Sequence, residues 1–531
     1  MEEQKKEKVI IVGAGIGGLT VAHYLCTQEN KYDIEIYERN DEVGGLARSQ
    51  RDSTSKCAME YCWRVFFGFY KHFFETLSQI DCLSTLVPYR DKVINDTSLK
   101  YKDYFILAWY LWYGLSSCDE RLNQLDNWQW SDILKHTSEN HVLRQVGPWL
   151  GMDRLKASFK SVIKVGFEYN ILRNEQNYVT NQPTSEAIFD PWVIHLKKKG
   201  VQIFLNHEVT EITPKQIVIR HIPTNRLQIL TDFDHRVLAL PIETLASLSQ
   251  YKWYMTPKQQ QNVKTLSETC LHMQVSLQIY FNRPIFLGNR CILHSDAFNC
   301  VANNSFLITN SEWDLIILQY DQVYLANKLC TNKKEIKGGW SIAVCTAYRK
   351  GVQIKKPFVA CTEEEIHEEI WAQLKQSQQL NRMIQKYNEG LTLHNIEKEC
   401  TVYWAPLWPD FKYNENEKRI VMKEPKFTNN AGSWALRPSY RTLDNKVWIA
   451  TAYVQETIDI FSMEAACLAG KKVASGIMKH FSLDTSILPR SRLFAVWRWI
   501  DKIFYHFHFP NLTLFCFLGL VIFLLYWILF A

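Results

Sequence analysis

The first forty residues alternate between apolar runs and a glycine-rich turn. An apolar run at Val9–Val12 leads into the turn Gly13–Gly18, and apolar residues then recur with helical spacing from Leu19 to Leu25. A second apolar run, Ile34–Tyr37, ends at Glu38. This order predicts a strand, a turn, a helix and a parallel strand, which is the opening of a doubly wound α/β sheet.

Later segments of the chain return to the same sheet. Residues 201–205 alternate between apolar and polar, and Arg236–Pro241 is an apolar run that proline ends. Before them, Ile188, Trp192 and Leu196 indicate a helix that ends at three lysines and a glycine. Residues 76–180 have a helical, aromatic pattern. The chain therefore predicts a sheet domain that is interrupted by other structure.

The glycine turn has the spacing G-x-G-x-x-G. Gly13 permits the tight turn, Gly15 lets the backbone approach a pyrophosphate, and Gly18 lets the helix pack against the sheet. The N-terminus of the helix attracts phosphate charge. Glu38 can accept hydrogen bonds from both ribose hydroxyls of an adenosine. The turn and its context predict a dinucleotide site.

Two motifs carry a resemblance to a known family. VIIVGAGIGGL, followed by IYERNDEVGGLARS, resembles the FAD-binding start of the flavin amine oxidases, protoporphyrinogen oxidases and phytoene desaturases. MEYCWRVFFGFYKHF, residues 59–73, is most similar to the carotenoid and hydroxysqualene oxidoreductase branch, although Phe67 stands where that branch often has proline. The segment Pro183–Trp192 resembles the lead into its second FAD-binding piece.

The resemblance implies non-covalent FAD and a set of residues that hold it. Val209 lies in a strand whose backbone pairs with the adenine edge, and the helix that begins near Met463 points at the flavin pyrimidine ring. A helix N-terminus there would stabilise the negative charge of reduced flavin. The implied cofactor-binding residues are Gly13, Ala14, Gly15, Gly18, Glu38, Arg39, Gly44, Gly45, Leu46, Arg48, Val209, Met463 and Glu464.

One departure from the family concerns the ribityl chain of FAD. The family usually has Ala-Gly-Asp after the closing strand, whereas this chain has Ala450-Thr451-Ala452. The missing carboxylate leaves two alternatives: weaker FAD binding, or a chain that keeps the fold without flavin.

Flavin supplies the hydride chemistry itself, so few acid or base residues are obligatory. Glu60 and Arg64 are candidates for groups near the flavin edge, with a structural ion pair as the alternative. The aromatic residues Trp63, Phe66, Phe67, Phe69 and Tyr70 suit either an apolar site or the core. Since no second G-x-G-x-x-G follows a strand, we expect oxygen or a membrane quinone, rather than a built-in nicotinamide, as the electron acceptor.

The charge, cysteine and aromatic content of the chain limit the kinds of molecule that it is expected to bind. The 61 basic and 55 acidic residues give a net charge of +6, too little and too dispersed to bind nucleic acid. The 14 cysteines include no C-x-x-C pair, which predicts reduced thiols, no disulfide framework and no metal site. Aromatic residues make up 13% of the chain, which suggests contact with lipid or a flat apolar ligand.

The C-terminal part of the chain predicts a membrane anchor. Residues 512–531 contain no charge and are long enough for a transmembrane helix. Before them, residues 489–509 predict an amphipathic helix in the membrane interface, with a core helix on the FAD domain as the alternative. Its apolar positions are Leu493, Val496, Trp497, Ile500, Ile503 and Phe504. Its basic residues place the body on the cytosolic side by the positive-inside rule.

The aromatic run 104–113 is too short to span a bilayer. Two interpretations of it stay open: a buried helix of the cap, or a helix that dips into the membrane surface at the mouth of the site.

The predicted architecture is a doubly wound, Rossmann-like FAD domain interleaved with a mixed α+β substrate domain. FAD-binding parts cover residues 1–75, 181–245 and 441–480; the helical cap covers 76–180, and the second substrate part covers 246–440. The predicted function is oxidation of a lipophilic, isoprenoid or carotenoid-like molecule at a membrane. A flavin amine oxidase is the alternative, as is a non-catalytic lipid-binding protein similar to the escort proteins of prenylated GTPases.

Overall fold

The computed structural model describes residues 5–519 except for 63, 95–99, 136–145, 249–252, 289–301, 321–322, 325–327 and 480–481. The strands are β1 Glu7–Val12, β2 Tyr32–Tyr37, β3 Ser49–Arg51, β4 Ala58–Glu60, β5 Leu86–Ile94, β6 Asn177–Thr180, β7 Gln202–Phe204, β8 His207–Ile212, β9 Ile217–His221, β10 Arg226–Leu230, β11 His235–Leu238, β12 Leu271–His272, β13 Val275–Phe281, β14 Ala302–Ile308, β15 Ile316–Gln319, β16 Gly338–Val344, β17 Thr401–Trp404, β18 Phe411–Asn414, β19 Arg419–Met422, β20 Lys426–Phe427 and β21 Val447–Ile449. The α-helices are α1 Ile16–Leu25, α2 Lys71–Ser78, α3 Tyr101–Ser116, α4 Asp119–Gln124, α5 Trp130–Leu134, α6 Val146–Trp149, α7 Phe159–Ser161, α8 Asp190–Lys198, α9 Ile242–Ser247, α10 Pro257–Thr269, α11 Glu363–Gln376, α12 Gln378–Tyr387, α13 Leu393–Asn395, α14 Met463–Met478 and α15 Ala495–His506.

A five-stranded sheet forms the first layer of the fold. Its order is β21-β11-β1-β2-β7, and all of its strand pairs are parallel. The central strand β1 is buried from Val9 to Val12 because α1 and α14 cover one face of the sheet, while the strands β8 and β9 with α9 and α10 cover the other. Each apolar run that predicted a strand of this domain forms one, so the predicted doubly wound α/β fold is confirmed.

A mixed seven-stranded sheet forms the substrate domain. Its order is β17-β13-β16-β15-β14-β5-β6. The span 76–180, predicted to be helical, contributes β5 and β6 to this sheet as well as helices. Strand β5 contains Pro88, Arg90, Asp91 and Lys92, which hide the apolar alternation that marks most strands. The predicted domain boundaries remain predictions.

Two helices outside the sheets concern the membrane prediction. The aromatic run becomes α3, and the segment before the apolar C-terminus becomes α15, which packs against α3 and α4 rather than against the FAD domain. No helix within the described residues is long and apolar enough to cross a bilayer. Because residues 520–531 lie outside the described part of the chain, the predicted span 512–531 stays a prediction.

The expectation that every thiol is reduced is wrong at one place. Cys57 and Cys330, 273 residues apart, form a disulfide. Next to it, the Ala58 N–H donates to the Leu329 carbonyl at 2.9 Å. The pair joins the β3–β4 hairpin to the segment after β15, a proximity that only the tertiary fold creates.

Replacing Cys57 should reveal how much this cross-link stabilises the fold. Because it closes a very long loop, Cys57→Ser should lower the free energy of unfolding by about 2–5 kcal/mol, measured by denaturant titration. Cys516→Ser, which removes an exposed free thiol, should leave it unchanged. Equal stability of Cys57→Ser and the wild type, with no linked peptide in a non-reducing digest, would contradict the disulfide.

Candidate functional site

Two glycine turns meet at the carboxyl end of the parallel sheet. Gly15 pairs with Gly44 in a parallel bridge, and the Gly44 N–H donates to the Ala14 carbonyl at 2.8 Å. Gly13 has φ +102° and Gly44 has φ +107°, a region in which a side chain is strained. A cavity of about 290 Å³ opens beside this double turn.

Gly15 and Gly18 have different surroundings, as the motif predicts. A Cβ atom at Gly15 would meet only the Gly45 Cα, 4.0 Å away, so the backbone here borders open space in the cavity. A Cβ atom at Gly18 would lie 2.1 Å from the Gly13 carbonyl oxygen. Gly15 therefore forms the cradle, whereas Gly18 packs the helix against the turn and does not line the cavity.

Glu38 lies at the end of β2, where the cavity begins. Its carboxylate accepts the Ala14 N–H at 2.7 Å and the Asn40 N–H at 3.0 Å. Burial raises its pKa, although these two N–H groups favour the charged form. Val209 lines the same part of the cavity. The carboxylate can thus fix the glycine turn and still face an adenosine ribose.

The closing strand and helix supply the other end of the dinucleotide site. Residues 450–453 line the cavity after β21, and Met463 lines it at the start of α14. The Ser462 hydroxyl accepts the Ala465 N–H at 3.2 Å and caps this helix. The positive end of α14 faces the cavity, where it would stabilise negative charge on a bound group.

These features fit FAD: an open glycine cradle, a carboxylate beside it and a helix N-terminus at the other end. The predicted cofactor residues that line the cavity are Gly13, Gly15, Glu38, Arg39, Gly44, Gly45, Leu46, Val209 and Met463. Those that do not line it are Ala14, Gly18, Arg48 and Glu464.

Arg48 is occupied by protein carboxylates rather than turned to the cavity. Its guanidinium donates to Glu424 and Asp410, both at 2.8 Å, and to the Gly45 carbonyl at 2.9 Å. Arg39 also contacts Glu424 at 2.8 Å. Burial opposes charge on Glu424, yet Arg48, Asn40 and Arg39 hold its pKa down to about 2. Arg48 therefore braces the second glycine turn against the substrate domain.

Glu464 caps a neighbouring helix instead of contacting the cavity. Its carboxylate oxygens accept the backbone N–H groups of His72 at 3.0 Å and Phe73 at 2.8 Å, in the first turn of α2. Burial raises its pKa to about 7. The residue ties α14 to α2, which is a structural role.

Glu60 and Arg64 form the ion pair that the sequence left as the alternative. The Arg64 Nε atom lies 3.5 Å from the Glu60 carboxylate. Glu60 also accepts bonds from the Thr184 N–H and hydroxyl and from Tyr324, and it lies outside the main cavity. Arg64 lines the cavity and donates to the Leu46 carbonyl.

A second region of the cavity is apolar and aromatic. Phe67 contacts Trp149 and Tyr70 edge to face, with ring centroids 5.7 Å apart in both pairs. Lys426 reaches the same region, where its ammonium donates to Gln274 at 2.8 Å. A Cβ atom at Gly151 would lie 2.2 Å from that ammonium, so the glycine makes room for it.

The sequence reasoning missed Trp149, Gly151, Gln274 and Lys426 because they come from distant segments and belong to no motif. The only local signal is a lysine in the short strand β20, between apolar neighbours. Phe67 and Tyr70 line the cavity as the apolar-site interpretation expects, whereas Phe66 and Phe69 lie in the core.

Known proteins share the dinucleotide domain and the overall fold. Residues 11–80 match the family model of the NAD(P)-binding Rossmann-like domain. Over 60 residues the chain is 35% identical to polyamine oxidase 1 of Oryza sativa subsp. japonica, a match that covers 11% of this chain and 12% of that protein.

Solved structures match over nearly the whole chain. An oxidoreductase from Methanosarcina mazei has a TM-score of 0.57 at 12% identity, covering 89% of this chain and all (100%) of that one. Cyclohexylamine oxidase from Brevibacterium oxydans IH-35A has a TM-score of 0.56 at 15% identity, covering 90% and 99%. The chain therefore shares its fold with these two proteins. These likenesses show the fold, and they do not single out the carotenoid branch.

The first site prediction concerns the cradle. A leucine at Gly15 would occupy the space that the pyrophosphate needs, so Gly15→Leu should abolish FAD binding, measured as loss of flavin absorbance in the purified protein. A Cβ atom at this position would have its nearest neighbour 4.0 Å away. The variant should therefore still fold, as circular dichroism can check. A folded, fully yellow variant would place the site elsewhere.

The second site prediction concerns the departure at the ribityl chain. Ala452 lines the cavity, so Ala452→Asp should restore a hydrogen bond to that chain, worth about 0.5–1.5 kcal/mol. FAD affinity should rise by about two- to tenfold, measured by fluorescence titration. Ala452→Asn has the same size without the charge and should gain less. Unchanged or weaker binding of the Asp variant would show that this loop serves another contact.

Proposed function

We propose that the protein oxidises a neutral, lipophilic molecule of isoprenoid or carotenoid type by hydride transfer to FAD. The observation that carries this proposal is the aromatic region of the cavity. Phe67, Tyr70, Trp149 and Leu150 give it an apolar wall. Such walls suit a ligand that buries hydrocarbon and makes few hydrogen bonds.

The charges around this region favour a neutral substrate over a protonated amine. Arg64 and Lys426 are the basic groups beside the aromatic wall. The acidic groups of the cavity, Glu38, Glu208, Glu243 and Glu424, come from the segments of the adenosine end and from the Arg39 cluster. An ammonium group there would meet the Arg64 guanidinium, and no described residue beside the wall offers it a carboxylate, which costs binding energy.

FAD, when bound, accepts the hydride. The protein's own contribution is to exclude water and to hold a proton. The aromatic wall replaces water around the substrate, and α14 offers its positive end to negative charge. Burial lowers the pKa of Lys426. The lowered pKa makes the neutral amine easier to form, and in that form Lys426 can accept a proton that leaves the substrate.

An amine oxidase is the second candidate because the polyamine and cyclohexylamine oxidases share sequence or fold with this chain. The third, a lipid-binding protein without flavin, is favoured by Thr451 and Ala452. Oxygen or a membrane quinone remains our proposed electron acceptor.

The membrane location, with the body on the cytosolic side, is also part of the proposal. Arg490 and Arg498 are paired with Glu168, and Lys502 is paired with Glu120, but the positive-inside rule counts basic residues rather than net charge. The Cys57–Cys330 disulfide is typical of an oxidising compartment. The side of the membrane therefore stays a prediction.

Flavin reduction tests the proposed function. The purified protein should be yellow, and anaerobic mixing with polyene or isoprenoid lipids should bleach the flavin faster than mixing with polyamines or cyclic amines. Lys426→Met should keep the flavin and slow bleaching by about a hundredfold. The wild-type rate should rise with pH through the lowered pKa of Lys426, and the variant should lose that rise.

Lys423→Met is the matched control, since Lys423 is exposed three residues away, and it should bleach at the wild-type rate. Bleaching by amines alone would establish the amine oxidase instead. A colourless, folded protein that binds lipid would establish the non-catalytic alternative.

A further inference from the structure

Two neighbouring helices of the cap have their polar side inward. On α3, Asp103 is fully buried, whereas Phe105 is 77% exposed. On α15, Asp501 is fully buried, whereas Val496 is 68% and Trp499 is 65% exposed. A helix at a water-facing surface has the opposite arrangement. Both helices therefore have the pattern of a surface that does not face water.

Ion pairs hold the polar side of α15 against the body. The Asp501 carboxylate accepts the Cys118 N–H at 2.8 Å and the Arg121 Nε–H at 3.1 Å. Arg498 lies 3.2 Å from the buried Glu168. Because breaking a buried ion pair costs several kcal/mol, α15 cannot roll over to bury its apolar side.

The two helices share one exposed apolar surface. Trp112 on α3 contacts Phe494 and Trp497, the two rings at and just after the start of α15, with centroids 5.2 and 5.3 Å apart. We call this the α3–α15 surface. Its exposed apolar residues are Tyr101, Tyr104, Phe105, Trp112, Leu493, Val496, Trp499, Ile503 and Phe507. The sequence predicted Trp497 on the apolar side of α15. In the structure Trp497 packs inward, and Trp499, which was not predicted, is exposed on this surface.

The uncharged C-terminal segment leaves the body at this surface. The Asn511 amide donates to the Ser117 hydroxyl at 3.0 Å, and Thr513 contacts Ser116 at 2.9 Å, at the end of α3. Phe517 then packs on Trp109 of α3, with centroids 5.1 Å apart. The start of the apolar segment is thus continuous with the α3–α15 surface.

We propose that the α3–α15 surface lies in the headgroup region of a lipid bilayer and seats the body on the membrane. Exposed tryptophan and tyrosine side chains suit that interface, where one end of the ring is apolar and the other is wet. Exposed Lys102 and Arg492 on the same segments suit anionic headgroups. Continuity with the uncharged tail favours a lipid surface over a protein partner. This surface does not depend on whether the chain binds flavin.

Photo-cross-linking in the full chain tests whether the α3–α15 surface contacts lipid. A benzoylphenylalanine replaces Phe105, or Trp499, or Leu227 as the matched control, and each protein is reconstituted into vesicles of phosphatidylcholine and phosphatidylserine. Leu227 is 67% exposed on β10, in a separate three-stranded sheet. Aromatic replacements at exposed positions preserve the fold. After irradiation, mass spectrometry should find lipid adducts at positions 105 and 499 and none at position 227.

The proposal is wrong if positions 105 and 499 form no lipid adducts, or if they form adducts to a second copy of the chain. Adducts at all three positions would show non-specific lipid contact and would overturn it as well. Flavin absorbance of the same samples reports separately on the oxidoreductase proposal.

Discussion

The architecture depends on one close contact between backbones, where α1 crosses the closing strand and helix. A Cβ atom at Gly17 would lie 1.9 Å from the Ala450 carbonyl oxygen, and one at Gly470 would lie 2.6 Å from the Gly17 carbonyl oxygen. Only glycine permits such an approach. The contact brings a segment from the last quarter of the chain onto the first turn, so the N-terminus of α14 and the Gly15 cradle border one cavity.

The dinucleotide-binding domain was predictable because its signals are local. Within thirty residues the sequence has an apolar run, a glycine turn and apolar residues at helical spacing. Each of these patterns predicts its element for a physical reason. The later strands repeat the same signal at Val201 and Arg236 and then before Ala450. The strand β5 was not predictable, since its charged residues hide the period and its burial comes from neighbours far along the chain.

The rest of the site was not predictable because the type of a residue does not determine which group its side chain contacts. Arg48 has the charge expected of a phosphate ligand. Its guanidinium instead donates its hydrogen bonds to two buried carboxylates that lie more than 350 residues away in the chain. Glu464 begins a helix that does face the cavity, but its own side chain points to α2. Lys426 and Gln274, which are 152 residues apart in the chain, come together because β20 pairs with β12. Long-range electrostatics, rather than pattern, decides these positions.

The aromatic region of the cavity and the α3–α15 surface are separated by one helical layer. A Cβ atom at Gly166 would lie 3.2 Å from the Leu150 side chain, which lines the cavity, and one at Gly114 on α3 would lie 2.7 Å from Ile163. Gly166 and Ile163 belong to the π-helical stretch Val162–Ile171. Such helices are rare in proteins as a whole, but those that occur are often at functional sites. Small residues on both sides let this layer be thin. A lipophilic molecule in the bilayer would then lie one helix away from the aromatic wall, so a body seated on the membrane would receive it without an aqueous step.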